Sequence, residues 1–190
     1  VLFNLVKMKI TLINANGDPQ NTPFENYIEE IEQSFHEKGK EIVVYKLQDL
    51  KLKNCVGCWT CWWKTPGICV HNDGIDKIYT DILDSSLLIF ASPLIAGFVS
   101  NLLKNFNDRL IPLLHPYINL VNGECHHRKR YSKYPSLGLI LQPEKITDAE
   151  DIEIVTDIYK RFALNFHSEL KFVQTQLTNP EEITHASYNI

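Results

Sequence analysis

The chain has 190 residues, enough for one domain that buries a sizeable core without staples. Its 44% apolar and 22% charged residues are ordinary for a globular protein, and a net charge of −4 argues against bulk nucleic-acid binding. No apolar run approaches the roughly 20 residues that a membrane helix needs, so no membrane association is expected.

The start, VLFNLVKMKITLI, lacks a basic segment and a small-residue cleavage site. MKITLIN, from Met8, has the character of a natural start, and residues 1–7 are expected to be an N-terminal extension of a single domain over 1–190. Lys9–Ile13 (KITLI) is apolar and β-rich and predicts a buried strand. The turn formers NANGDPQN follow. Thr22-Pro23-Phe24-Glu25 then has the pattern of a capping box with proline at the first helical position. The helix it opens runs to about Lys38 on Ile28, Ile31 and Phe35, and Gly39 ends it. Glu41–Lys46 (EIVVYK) predicts the second strand. Beyond a cysteine-rich stretch, Asp73-Gly74 opens a second helix carrying Ile75, Ile78, Ile82 and Leu83, with Asp73 as its expected cap. Leu87–Ala91 (LLIFA) has the continuous apolar run of a central strand, and 92–99 is expected to be a loop. Ser100 caps a third helix to about Leu114, where the prolines at 112 and 116 break the pattern. Residues 115–135 look irregular. Ser136–Leu141 (SLGLIL) is the fourth strand, and Thr147-Asp148-Ala149-Glu150 is a second capping box opening a helix to about Phe166. Leu170–Gln176 (LKFVQTQ) is the fifth strand, and the tail after Pro180 is polar and expected at the periphery.

Strands alternating with helices imply parallel pairing and right-handed crossovers. The expected fold is a three-layer α/β structure with a five-stranded, doubly wound parallel sheet in the order 2-1-3-4-5. Ligands of such sheets sit beyond the carboxyl ends of the strands, at the switch point between the first and third. The loops 14–22, 92–99 and 142–147 are then the default site, and the first residues of the cysteine stretch, which follows the second strand, are expected to emerge on the same side. In the first loop, a helix N-terminus and the side chains of Asn16, Gln20, Asn21 and Thr22 could meet a phosphate. There is no G-x-G-x-x-G and no Walker lysine, and a plain helix-capping turn is the alternative.

Cys55, Cys58, Cys61 and Cys69 fall at C-x2-C-x2-C-x7-C, with Trp59, Trp62 and Trp63 among them. With no export signal, five cysteines suggest a reducing, cytoplasmic setting. Three cysteines at steps of three can converge on one curled loop, and the fourth can close a four-thiolate site. An iron–sulfur cluster, a zinc ion and a set of unligated or redox-active thiols are all compatible with this spacing. The tryptophans would shield a cluster, stack on a planar ligand or fill core.

The stretch C-x-G-C-x-x-C-x-K-T-P-G-x-C, followed by SPLIAGFVSNLLKNFNDR, resembles the flavodoxin-like NADPH-dependent FMN reductases, in particular their cysteine-bearing branch that includes iron–sulfur flavoproteins. Ser92, Pro93, Gly97, Ser100, Lys104, Phe106, Asp108 and Arg109 match the second family motif. The family's phosphate loop, G-S-P-R-x-x-G-N-T, aligns with residues 14–22. Asn21 and Thr22 match, Ala15 and Gly17 replace the serine and arginine, and Asp18 adds a negative charge. Ile95 stands where the family has a tyrosine. The resemblance implies FMN, with its phosphate at Asn16, Gln20, Asn21 and Thr22 and its ring against Ser92, Pro93, Leu94, Ile95, Gly97 and Phe98. It also implies NAD(P)H as electron donor and a quinone, flavin or other small acceptor. No catalytic acid or base is expected, because the chemistry belongs to the cofactor. The second possibility is an electron carrier with a [4Fe–4S] cluster on Cys55, Cys58, Cys61 and Cys69. The altered phosphate loop motivates a third, a cofactor-free binding module. A homodimer is implied by the family and by the apolar-aromatic run LIPLLHPYINLV.

His115, His126 and His127, with Cys125 adjacent, could suggest a metal, but adjacent histidines rarely face one ion, and a loop or interface is the simpler expectation. Arg128, Lys129, Arg130 and Lys133 form a basic run that could meet the extra phosphate of NADPH, an acidic subunit or only solvent. Asp108 and Arg109 are expected to be a structural pair.

Overall fold

The computed structural model describes residues 8–187, so the extension expected over residues 1–7 lies outside the described residues. Five parallel strands form the main sheet: β1 (Lys9–Asn14), β2 (Glu41–Lys46), β3 (Leu87–Ile95), β7 (Ser136–Gln142) and β8 (Leu170–Thr175). Their order is β2-β1-β3-β7-β8, the expected 2-1-3-4-5 arrangement, with Ile10 opposite Leu87 and Leu87 opposite Ser136.

Alternation along the strands divides the interior into two cores. Ile10, Leu12, Ile89, Ala91 and Ile140 pack with Phe24, Ile28, Ile31 and Phe35 of α1 (Thr22–Glu37) and Ile183 of α6 (Pro180–Ala186). Leu88, Phe90, Leu137 and Leu139 pack with Ile78 and Ile82 of α3 (Ile75–Asp84), Leu103 and Phe106 of α4 (Asn101–Asp108), and Val155 and Tyr159 of α5 (Ala149–Asn165). Each fully buried aliphatic side chain contributes on the order of 1.5–3 kcal/mol. Gly138 has no room for a side chain, since a Cβ there would lie 2.3 Å from the Phe172 ring.

Several elements differ from expectation. The third strand does not stop at Ala91. It runs on to Ile95 and doubles back as β4 (Phe98–Val99), pairing Ile95 with Phe98 across the turn residues Ala96 and Gly97, which have φ of 51° and 76°. Two positive φ values in a two-residue loop match the natural twist of a hairpin. The third helix ends at Asp108, not near Leu114, and a 3-10 turn over Ile111–Leu113 takes up Pro112. The segment expected to be irregular is a hairpin, β5 (Leu114–Val121) and β6 (Glu124–Lys129), turned by Asn122-Gly123 at φ 51° and 83°. The fifth helix is boxed by Asp148 with Asp151, one residue later than the Thr147–Glu150 pairing expected. The tail is not peripheral, because α6 buries Ile183 and Thr184 and bonds Ser34 of α1 through Thr184 at 3.0 Å. Among the described residues, no helix is long and apolar enough to cross a membrane.

Candidate functional site

The loops after β1, β3 and β7 meet at the switch point, and side chains tie them together. Ser100 caps α4 by accepting from the Leu103 amide at 3.3 Å and donates its hydroxyl to the Ala15 carbonyl at 2.7 Å, fastening the first loop to α4. Ser92, fully buried, accepts from the Ser100 amide at 2.9 Å and donates to the Pro93 carbonyl at 2.7 Å. Leu94 is buried, Pro93, Gly97 and Phe98 are half-buried, and Ile95 is 54% exposed. The amide of Ala96 donates to the Glu144 carboxylate at 2.8 Å and joins the third loop to the hairpin. Gly97 approaches Asp151 so closely that a Cβ would lie 2.5 Å from its carboxylate oxygen. Ile146, in the same loop as Glu144, is 79% exposed.

The first loop is built differently. The expected capping box does not form. The cap of α1 is Asn21, which makes no side-chain cap bond, and Glu25 turns back under the loop instead. Its carboxylate accepts from Asn14 Nδ2 and Asn16 Nδ2, each at 2.9 Å, and lies 2.9 Å from Lys46 Nζ. Burial opposes that charge, but the bonds from Asn16, Lys46 and Asn14 more than offset it and hold the carboxyl below its ordinary range. Asn16 is buried, and its Nδ2 also donates to the Asp18 carbonyl at 3.0 Å. The amides of Asn16, Asp18 and Gln20 donate to the side chains of Asn14, Asn16 and Asp18, and those of Asn21 and Thr22 to the carbonyls of Asp18 and Gln20. Asn21 Nδ2 donates to Gln142 Oε1 at 2.5 Å. Gln20 and Thr22 are exposed. The first loop does not present the free amides and positive charge of a phosphate cradle.

The cysteines do not open onto this crevice. After β2 the chain turns through a 3-10 segment, Leu47–Asp49, and runs to the far end of α4. There Cys55, Cys58, Cys61 and Cys69 line one cavity with Trp59, His71, Asp108, Arg109 and Pro112. The length of α4, about 12 Å at 1.5 Å per residue, separates this cavity from Ser100. Burial pushes the Cys61 thiol up to about 11, and the charges of Cys69, Cys58 and Cys55 add to that. Cys58 moves the other way, its thiolate favoured by bonds from the Thr60 hydroxyl and amide. Trp59 stacks on Trp62 at 4.7 Å, and Trp62 donates its indole N–H to the Ile111 carbonyl at 3.2 Å, which anchors the short helix α2 (Thr60–Trp63); Trp63 is exposed.

The cavity wall holds a pair that the sequence did not reveal. Arg109, 2% exposed, does not pair with Asp108, which takes Lys104 at 2.7 Å. Arg109 forks onto Asp73 at 2.9 and 3.0 Å and reaches the Lys53 carbonyl. The cap position of α3 falls one residue on, at Gly74, while the Asp73 carboxylate also accepts from the Ile75 amide of its first turn. Burial disfavours the Asp73 charge, but Arg109 and the Lys53 amide outweigh it and hold the carboxyl down at about 2.

Among the described residues, no three His, Cys, Asp or Glu side chains converge tightly enough to hold a single metal ion. His115 stacks on Tyr117, His127 is 2.9 Å from the His115 carbonyl, and His126 lies buried 3.3 Å from Glu124. Cys125 is exposed on β6, away from the other four. The basic run lies near the N-terminal end of β7, where Arg130 bonds the Leu114 carbonyl and the hydroxyl of Tyr134. It is separated from the β3–β4 turn by the length of β7, about 20 Å.

Residues 8–127 match the family described as NADPH-dependent FMN reductase, and the chain belongs to that family. An iron-sulfur flavoprotein of Archaeoglobus fulgidus is 29% identical over 102 residues, 54% of this chain and 48% of the relative. One of Methanocaldococcus jannaschii is 33% identical over 107 residues, 56% of this chain and 53% of the relative. The chain spans about half the length of these relatives. Among solved structures, the NAD(P)H:quinone oxidoreductase from Methanothermobacter marburgensis superposes with a TM-score of 0.62 at 14% identity, covering 95% of each chain. An azoreductase from Bacillus anthracis gives 0.61 at 13%, covering 94% of this chain and 92% of that one. At such identities the structural likeness establishes the flavodoxin-like fold.

Proposed function

We propose that this chain is an FMN-dependent oxidoreductase that takes its electrons from NAD(P)H and delivers them to a quinone, a flavin or another small acceptor. The observation that carries this reading is the β3–β4 turn braced against the loop after β7 at the switch point, in a chain of the FMN reductase family; that turn would seat the flavin ring. Bound flavin would supply the electron chemistry. The protein's part is positional. Ser92 and Ser100 fix the start of the turn, Glu144 and Asp151 brace Ala96 and Gly97, and Pro93, Leu94, Ile95 and Phe98 shape the apolar wall. Gln20 and Thr22 are the exposed neutral polar side chains of the first loop, while Asn16 and Asn21 serve it by holding its shape. The protein is read as cytoplasmic and homodimeric, with Tyr117, Ile118 and Leu120, exposed on the β5–β6 hairpin, facing a second copy.

A second reading rests on one observation, the four thiols that line a common cavity. A single ion draws its ligands to within about 2.3 Å of one point, whereas a cluster takes one thiolate on each of four irons and leaves them further apart. Cys55, Cys58, Cys61 and Cys69 would then hold a [4Fe–4S] cluster, and the chain would pass single electrons between cluster and flavin.

The visible spectrum of protein purified without air, before and after adding FMN, tests both. Two resolved flavin bands that bleach with NAD(P)H are expected. A brown shoulder that bleaches with dithionite would mark the cluster. Protein that binds no FMN at saturating concentration and oxidises no NAD(P)H in its presence would overturn the oxidoreductase reading and leave the fold as a cofactor-free binding module.

A further inference from the structure

The first loop is where a flavodoxin-like fold would grip the phosphate of a flavin, and here its donors already have partners. Five amides between Asn16 and Thr22 donate within the loop, Pro19 has no N–H, and Gly17 alone keeps a free amide. Asn16, buried and bonded twice through its Nδ2, cannot swing outward without abandoning Glu25.

Charge points the same way. Asp18 is exposed in the loop itself. Beneath it Glu25 and Glu29 share a single cation, Lys46, at 2.9 and 3.5 Å. Lys46 thus has two carboxylates to offset, Asp18 pairs with no cation among the described residues, and no arginine occurs before Arg109. A phosphate dianion entering this loop would find Gly17 and the neutral side chains of Gln20 and Thr22, with a carboxylate between them. A hydroxyl-terminated ribityl chain asks only for neutral hydrogen-bond partners and suffers no such repulsion. The β3–β4 turn, by contrast, is braced to the loop after β7 by the Ala96–Glu144 bond, independently of the first loop.

We propose that this chain recognises flavin by its isoalloxazine ring and leaves the 5′-phosphate unread, so that riboflavin and FMN bind alike, with Asp18 as the residue that opposes the phosphate. The inference rests on the flavin-binding reading above. It makes phosphate-free flavins a ligand class of this site, and flavin an exchangeable guest.

The test is titration of riboflavin and of FMN into the full chain, followed by quenching of flavin fluorescence, in wild type and in Asp18→Asn. Asparagine keeps the acceptor for the Gln20 amide and removes only the charge. The two flavins are expected to bind wild type within about threefold of each other, a difference well under 1.4 kcal/mol. Asp18→Asn should tighten FMN by about three- to tenfold and leave riboflavin unchanged. Raising salt from about 0.01 M to about 1 M shortens the Debye length from about 30 Å to about 3 Å, and should tighten FMN because repulsion is what salt screens. FMN binding about 100-fold tighter than riboflavin, and weakening with salt, would overturn the inference while the oxidoreductase reading stood. An Asp18→Asn variant with unchanged FMN affinity would remove Asp18 from the account. If neither flavin bound, the reading would fall and the inference with it.

Discussion

The two ends of α4 are organised in opposite ways. At its N-terminus, Ser100, Ala15, Asn16 and Glu25 form a closed network in which each polar group has a partner on the protein. At its C-terminus, Arg109 is held by Asp73, but the wall it braces is lined with four thiols, among which Cys61 is kept from ionising by burial and by its neighbours. A satisfied network keeps its shape and asks nothing of a ligand. Thiols gathered on one wall are open to a metal, a cluster or oxidation, so this is the end where further chemistry is to be tested.

The sharpest way to break that contrast is at Cys58. If the thiols hold a cluster, Cys58→Ser should abolish iron and labile sulfide in anaerobically purified protein, while flavin binding at the other end of α4 persists. Iron content unchanged in the variant would show that the thiols do not act together. Next in size is Arg109→Met. The methionine fills part of the volume but leaves Asp73, whose side chain is 8% exposed, as a buried charge without its partner. Such losses cost about 3–5 kcal/mol, and urea unfolding should register a corresponding fall. Acid asks the same question more gently. Because folding lowers the Asp73 carboxyl to about 2, its stabilisation is complete above about pH 4 and is lost as the pH falls toward 2. The part owed to this carboxylate and all its partners is about 2 kcal/mol by linkage, and it should be missing from the acid unfolding curve of Asp73→Asn.

The parts of the fold set by local pattern were legible in the sequence. KITLI, LLIFA and SLGLIL are apolar runs too short for helices, and the helices between them carry apolar residues at helical spacing, so the sheet and its order followed. What escaped was set by partners distant in the chain. Thr22-Pro23-Phe24-Glu25 has every residue of a capping box, and nothing local says that Glu25 will prefer Asn14, Asn16 and Lys46 to the helix end. Asp73 and Arg109 are 36 residues apart, and each has a nearer charge or helix end that looked like its partner. The β5–β6 hairpin is a different kind of omission. Asn122-Gly123 is a strong hairpin turn, but the prolines before it and the basic run after it masked the strands on either side. For the site, the C-x2-C-x2-C-x7-C spacing led to a shared cavity, yet its distance from the switch point depends on the path of residues 47–54, which no periodicity describes.

The smallest expected effect probes the link between the two ends. Ser100→Ala removes the side-chain cap of α4 and the bond to the Ala15 carbonyl in a single change. Loss of a serine cap costs about 1 kcal/mol, and the Ser100 amide still reaches Ser92, so the helix itself should survive. If α4 transmits position from one end to the other, the variant should loosen both, giving faster amide exchange at Ala15 and at Arg109 alike. If the ends are independent, protection should fall around Ala15 and stay unchanged at Arg109, whose bonds to Asp73 and Lys53 do not pass through the cap. The second outcome is expected, because a buried two-point ion pair holds its helix end more strongly than one hydroxyl holds the other.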